Sequence, residues 1–194
     1  ELAKQVRAAD NEINRMEVSI DEECIRILAR RQPAASDLRL IIGISKSVID
    51  LERIGDEATK IAKRTLQLSE DGAAPRGYDE IRHIGAQVRR MVQEALDAFA
   101  RFDVDLALAV SQYDKTIDRE YKSALRELVT YMMEDPRSIS RVLSVIWVLR
   151  SLERIGDHAR NIAELVVYMV HGTDVRHKSL LPSKSADEPA DTPE

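Results

Sequence analysis

The sequence predicts an all-α protein of two tandem three-helix bundles, made of long antiparallel helices, with the first bundle lacking its opening helix. Three observations predict this. The six residues 51–56, Leu-Glu-Arg-Ile-Gly-Asp, return unchanged at 152–157. Apolar residues around each copy recur at threes and fours, the spacing of one helix face. Aromatic residues make up only 4% of the chain, while Ala, Leu, Ile, Arg, Glu and Asp dominate, the composition of helical bundles rather than sheets.

Each element has its own justification. Residues 1–31 form one long helix, with Val6, Ile13, Ile20, Cys24 and Ile27 in one seam and Asp10 and Glu17 inside it. Pro33 ends it, and Ser36-Asp37 supplies an N-cap and a first-turn acid for a second helix over 37–68. Residues 69–77, with two glycines and a proline, are the linker between domains. A third helix over about 78–102 carries the seam Ile81, Ile84, Val88, Met91, Ala95, Ala98, and no acid interrupts it. After the break at Phe102-Asp103, a fourth helix runs to Glu134 with Val110, Asp114, Ile117, Tyr121, Ala124 and Leu128 in its seam. Asp135-Pro136, a cap followed by proline at the first helical position, starts a fifth helix that stops at Gly172. The domains are therefore 1–68, an incomplete repeat, and 78–172, a complete one, followed by a disordered tail over 173–194.

The halves align beyond the repeated hexapeptide. Val6, Asp10, Ile13 and Ile20 match Val110, Asp114, Ile117 and Ala124 at an offset of 104, Pro33 matches Pro136 at 103, and the hexapeptides match at 101. The second half has three helices, whereas the first begins at the equivalent of the second half's middle helix. Either the opening helix has been removed, or a neighbouring chain covers the seam it leaves.

The glutamates mark the candidate site. Glu52 and Glu153 occupy seam slots that their neighbours fill with hydrocarbon, and Asp56 and Asp157 follow one turn later. Asp10 and Asp114 replace apolar residues on the preceding helices, and antiparallel packing brings them near the level of the glutamates. A lone ionised carboxylate in an apolar seam is costly unless paired, protonated or metal-bound, and two together repel. The adjacent Gly55 and Gly156 each cost about 1 kcal/mol of helix propensity relative to alanine, which makes sense if something approaches the backbone there. Metal binding by Asp10, Glu52, Asp56, Asp114, Glu153 and Asp157, with Asn14 and Asp118 one turn beyond the aspartates, is the functional reading. Such oxygen-rich sets suit hard cations such as Mg, Mn, Ca or ferric iron, and carboxylates also hold zinc. The alternative is pairing of the acids with Arg53, Arg154, Lys60 or Arg160.

Other side chains point less clearly to chemistry. His83, Gln87 and Glu94 read as a solvated strip, His158 points away from Asp157, and His171 and His177 lie at or beyond the last helix. Cys24 reads as core, and Trp147 as core or contact surface. With one cysteine no internal disulfide framework exists, which fits a reducing compartment. The 29 basic and 34 acidic residues are interspersed, so no basic face offers itself to nucleic acid or anionic lipid. No stretch reaches the ~18 apolar residues of a membrane span, no signal peptide is visible, and no P-loop, Rossmann fingerprint, nucleophile elbow or HExxH is present.

The tandem hexapeptides closely resemble those of the PhoU family, as do 31–39 (Arg-Gln-Pro-Ala-Ala-Ser-Asp-Leu-Arg) before the first and 131–136 (Tyr-Met-Met-Glu-Asp-Pro) before the second. The resemblance runs from about residue 1 to 178. It implies a six-helix, two-bundle regulator of phosphate uptake carrying multinuclear iron or zinc clusters at Glu/Asp-x-x-x-Asp motifs. Those motifs fall on Glu52/Asp56, Glu153/Asp157 and Asp114/Asp118, while Asp10 is followed by Asn14 where the pattern has an acid. By the same resemblance the protein is a cytoplasmic, non-enzymatic brake linking the phosphate ABC transporter to the sensor kinase PhoR, and the unpartnered first seam favours a homodimer. Two other classes remain: an all-helical, MazG-like metal-dependent nucleotide pyrophosphatase, whose acids are spaced Glu-x-x-Glu and Glu-x-x-Asp instead, and a purely structural bundle.

Overall fold

The computed structural model describes residues 1–172, apart from the side chain of Asp71. The tail expected to be disordered, with His177, lies outside the described residues. Five α-helices follow one another: α1 (Leu2–Arg31), α2 (Ala35–Asp71), α3 (Tyr78–Arg101), α4 (Val104–Glu134) and α5 (Ile139–His171), with a 3-10 turn at Pro136–Ser138 leading into α5. No described residue is in a strand, and none of these helices is long and apolar enough to cross a membrane.

The breaks fall where the punctuation residues stand. Gln32 ends α1 in the left-handed region at φ 46, just ahead of Pro33. Phe102 does the same for α3 at φ 54, and Asp103 then caps α4 by accepting a hydrogen bond from the Leu106 amide at 2.9 Å. Gly172 closes α5 at φ 70. The start of α2 differs from expectation. It begins at Ala35 with no side-chain cap, so Ser36 lies inside the first turn, and Asp37 alone supplies a first-turn acid. At its other end α2 continues to Asp71, three residues past the expected boundary. The remaining connection is tied down rather than free: the Ala74 amide donates to the Tyr78 hydroxyl at 3.0 Å, and Arg141 Nη1 donates to the Ala73 carbonyl at 3.3 Å.

At the centre lies α5, with α3 and α4 on one side, α2 on the other, and α1 flanking α2. Val142, Val145, Leu149, Ala159, Ile162, Ala163 and Val166 of α5 are fully buried, against Ile84, Val88 and Met91 of α3 and Val110, Ile117 and Leu128 of α4. Each such aliphatic contributes roughly 1.5–3 kcal/mol when fully withdrawn from water, so the second half holds most of the apolar stabilisation. By contrast, α1 buries only Cys24, and Met16, Val18, Ile25 and Leu38 are exposed on the first half.

The sequence reading gave α5 one seam, but the helix packs on two sides. Its second face carries Ser151, Arg154, His158 and Asn161 against α2, again at threes and fours. His158 Nδ1 lies 2.8 Å from Asp50 Oδ1, and Asn161 donates to the same oxygen at 3.0 Å. The equivalents of Ser151 and His158 in the first half are Asp50 and Glu57, and the contacts obey that exchange: Glu57 accepts from Ser151 just as Asp50 meets His158. This contact is a pseudo-two-fold pairing of the repeats. At Gly43 a Cβ would stand 2.4 Å from Met169 Sδ, so glycine there leaves room for the methionine side chain as it now lies.

Candidate metal centre

In the second half the seam acids of α4 and α5 face one another. Asp114 is 3% exposed and Glu153 9%, with Asp157 and Asp118 partly buried beside them. Asp114 Oδ1 is directed at Gly156: a Cβ there would stand 3.7 Å from it, and 3.8 Å from Ile117 and Met91. The first half repeats the arrangement, with a Gly55 Cβ 3.6 Å from Asp10 Oδ1 and 3.1 Å from Ile13. Thus both seam aspartates sit at the level of their motifs, as antiparallel packing predicts. The motif glycines themselves are less constrained than expected. At Gly156 an alanine methyl would find ordinary van der Waals contact, and at Gly55 the tight neighbour is Ile13, not a ligand.

Electrostatics make both clusters uncomfortable. Burial raises the Glu153 carboxyl above its usual range, the charge of Asp157 raises it further, and Asp118 and Asp114 add to this against the opposing Arg150. One Glu153 oxygen accepts from Arg150 at 2.7 Å, while Oε2 is buried without a partner. Burial also raises Asp114, against the opposing Arg160. In the first half burial and then Asp56 raise Glu52, with Glu17 and Asp10 contributing and Arg53 opposing. There Asp10 Oδ1, Asn14 Oδ1 and Thr59 Oγ1 are all buried and unpartnered.

The arginine-pairing alternative holds at some points and fails at others. Arg160 Nη1 donates to Asp114 Oδ2, and its Nη2 lies 3.3 Å from Asp157. Arg154 and Lys60, however, go to Glu57, at 3.2 and 2.9 Å, rather than to the motif acids. Glu57 is 2% exposed. Burial raises its carboxyl, but hydrogen bonds from Lys60 and Ser151 and the charges of Lys60 and Arg154 outweigh burial and leave it lowered. Arg53 reaches Glu52 only at 3.5 Å from an exposed position.

Among the described residues no three His, Cys, Asp or Glu side chains converge closely enough to hold a metal ion as they stand. In the second half Arg160 pairs with both Asp114 and Asp157. The donor set nonetheless fits a hard or borderline cation: buried carboxylate, amide and hydroxyl oxygens lack partners in the first half, and Glu153 Oε2 lacks one in the second.

The remaining candidates have other partners. His158 is engaged with Asp50. On α3, Gln87 is not simply solvated: it donates to Glu120 at 2.6 Å and accepts from Tyr113. Trp147 is exposed, with the Arg64 guanidinium 5.8 Å from its ring centre. Cys24 is buried as expected. Sequence reasoning missed Asp50 and Glu57 as interface residues. The signal was present, since 50, 53, 57 and 60 share one helix face and map through the offset of 101 onto 151, 154, 158 and 161.

Comparison with known proteins returns the same duplicated unit. The PhoU domain pattern matches residues 1–65 and again 81–166. A phosphate-specific transport system accessory protein PhoU homolog from Pseudomonas putida is 81% identical over 179 residues, 92% of this chain and 70% of its own length. The Escherichia coli K12 accessory protein PhoU is 45% identical over 194 residues, 97% of this chain and 80% of its own. The crystal structure of PhoU from Pseudomonas aeruginosa superposes with a TM-score of 0.88 at 79% identity, covering 89% of this chain and 82% of that one. The phosphate transport system regulatory protein PhoU from Streptococcus pneumoniae does so with a TM-score of 0.82 at 34% identity, covering 90% and 82%. With the paired hexapeptides, the two matched units and the all-helical architecture in agreement, the chain belongs to the PhoU family.

Proposed function

We propose that this protein is a metal-binding regulator of phosphate homeostasis, acting as an accessory to a phosphate-specific transport system and restraining both uptake and the phosphate-starvation response. The relatives that carry the name accessory protein support the transport association. The observation that carries the metal reading is that each half holds buried oxygens without partners among its seam acids, Asp10 Oδ1, Asn14 Oδ1 and Thr59 Oγ1 in the first and Glu153 Oε2 in the second. Asp10, Glu52 and Asp56, with Asn14, hold metal in the first repeat, and Asp114, Asp118, Glu153 and Asp157 in the second. A bound iron or zinc cluster supplies charge neutralisation and ties neighbouring helices together. The protein performs no catalysis in this reading. It works in the cytoplasm as a docking scaffold between the transporter's inner face and the sensor kinase PhoR, the partners implied by family resemblance. Exposed Met16, Val18, Ile25 and Leu38 on the first repeat support self-association as a homodimer.

One experiment addresses both parts. A cell lacking its own copy is supplied with the wild type or with a Glu52→Ala/Glu153→Ala double variant, and a phosphate-starvation reporter is followed in high phosphate while metal content of the purified proteins is measured. The wild type is expected to carry metal and silence the reporter, and the double variant to lose both. Equal metal content in the two proteins defeats the site assignment, and a reporter unaffected by the wild type defeats the regulatory one. A specific observation also favours a second reading, the purely structural bundle: Arg160 already pairs Asp114 and Asp157. Metal-free wild type that silences the reporter fully would select it.

A further inference from the structure

Just past the hexapeptide the two repeats differ in charge at 57/158, 59/160 and 60/161, and the difference that reaches the seam acids is the one at 59/160. Three residues beyond Asp157 stands Arg160, and three residues beyond Asp56 stands Thr59. The guanidinium of Arg160 donates to Asp114, lies 3.3 Å from Asp157 Oδ1 and, through Nε, 3.7 Å from Glu164 Oε1. It therefore neutralises two of the four acids assigned to the second site. Glu153, 9% exposed, is left beside them with its Oε2 unpartnered. In the first half the equivalent side chain is a neutral hydroxyl, itself buried and unpartnered, and the oxygens of Asp10 and Asn14 are bare as well. The nearest cation there, Arg53, is an exposed side chain 3.5 Å from Glu52. One repeat carries its own cation and the other does not.

The geometry points to Arg160 as a resident counter-cation that competes with metal for Asp114 and Asp157, so that the two repeats bind metal unequally and the second does so only when Arg160 withdraws. This rests on the reading that the acids hold metal. The fold provides somewhere for the side chain to go. Arg160 forms one wall of a groove of about 1050 Å³ between α2, α4 and α5, whose other walls include Asp50, Ser111, Asp118 and Glu164. Of the acids there, Asp50 already meets His158 and Asn161 and Asp118 belongs to the second set, so Glu164, 3.7 Å from Arg160 Nε, is the one that keeps the withdrawn guanidinium beside a negative charge. A metal entering the first repeat meets no buried competitor and displaces only the long, solvent-exposed contact of Arg53 with Glu52.

The test is a zinc titration of the chelator-treated, full-length protein by calorimetry, with elemental analysis of the zinc retained after desalting. The wild type is expected to show two classes of site, the weaker lost with Glu153→Ala and the stronger with Glu52→Ala. Arg160→Thr, which copies the first repeat, is expected to tighten the weaker class about tenfold or more and leave the stronger unchanged. Thr59→Arg is expected to weaken the stronger class by a similar factor. It decides the question alone if circular dichroism shows that Arg160→Thr does not fold. Zinc bound by Arg160→Thr at a site the wild type leaves empty also supports the inference. Two equal classes in the wild type, or a weaker class that Arg160→Thr leaves unmoved or loosens, overturn it while leaving the metal reading intact. Failure of both proteins to bind zinc defeats the metal reading and this inference together.

Discussion

Replacing Glu153 with glutamine is expected to stabilise the metal-free protein and to remove the share of metal-conferred stabilisation that comes from the second repeat. The side chain is 9% exposed, and one of its oxygens is buried without a partner. A buried unsatisfied polar atom costs about 1–3 kcal/mol, more when it is charged. Against this stands the Arg150 ion pair at 2.7 Å, but that arginine is 46% exposed. Solvent screening reduces such a pair to less than about 1 kcal/mol. The amide removes the charge that Asp157, Asp118 and Asp114 repel and adds a donor they can accept from. The net gain is about 1 kcal/mol, or roughly 2–4 °C in Tm for a domain of this size. The pH dependence has a definite sign. Because the folded-state pKa of Glu153 is raised, the native state favours its protonated form. The wild type therefore recovers stability as pH falls through that raised pKa, and the advantage of Glu153→Gln shrinks toward acid. Differential scanning calorimetry in chelator at neutral and mildly acidic pH reads both effects, and a repeat in excess zinc reads the metal term, which grows with occupancy. A variant less stable than the wild type in chelator at neutral pH would refute the reasoning, because Glu153 would then be a satisfied structural residue.

Further outcomes follow from the packing. Gly43→Ala gains about 1 kcal/mol of helix propensity. Its methyl group nevertheless overlaps Met169, and overpacking of about 1–3 kcal/mol makes the change destabilising in urea unfolding; in a Met169→Ala background the same change turns stabilising. A double-mutant cycle on Asp50→Ala and His158→Ala is expected to return a coupling of about 1 kcal/mol across the α2–α5 contact, and additivity would remove that contact from the account. Leu149→Ala, at a fully buried position of α5, is expected to cost about 2–5 kcal/mol, which chemical denaturation reads directly. Thermal unfolding of Glu57→Gln is expected to show a loss of stability at neutral pH that narrows toward acid. Its lowered carboxyl contributes only above the unfolded pKa, and that contribution is lost as pH falls through the folded one.

Much of the architecture was legible because helices write their period into the sequence. The threes and fours around Val110, Ile117 and Ala124 and the glycine at 172 produced the elements they announced, while the proline at 136 opened a 3-10 turn and α5 itself began three residues later, at Ile139. The levels of Asp10 and Asp114 followed from counting residues on either side of a turn. What escaped the reading was everything that depends on a second packed face. Arg154, His158 and Asn161 look like ordinary solvent-facing polar residues until α2 lies against them. Sequence spacing cannot say which polar stripe meets another and which meets water. The same blindness affected the glycines. Gly55 and Gly156 drew attention by repetition, whereas the helical glycine whose added methyl would meet the tightest contact is Gly43, outside the repeated hexapeptide. The cap of α2 was misread because Ser36 has the right chemistry two residues too late, whereas Asp37 is the first-turn acid it was expected to be.

The pairing of α2 with α5 gives the second hexapeptide two audiences. Glu153 looks toward α4, while its immediate neighbour Arg154 reaches back across the seam to Glu57, which itself adjoins Asp56 of the other repeat. Two consecutive residues on one rigid rod thus report to opposite halves of the molecule. Any roll of α5 about its axis that adjusts the carboxylate drags the guanidinium along. The second repeat's acids are thereby tied mechanically to the contact between α2 and α5.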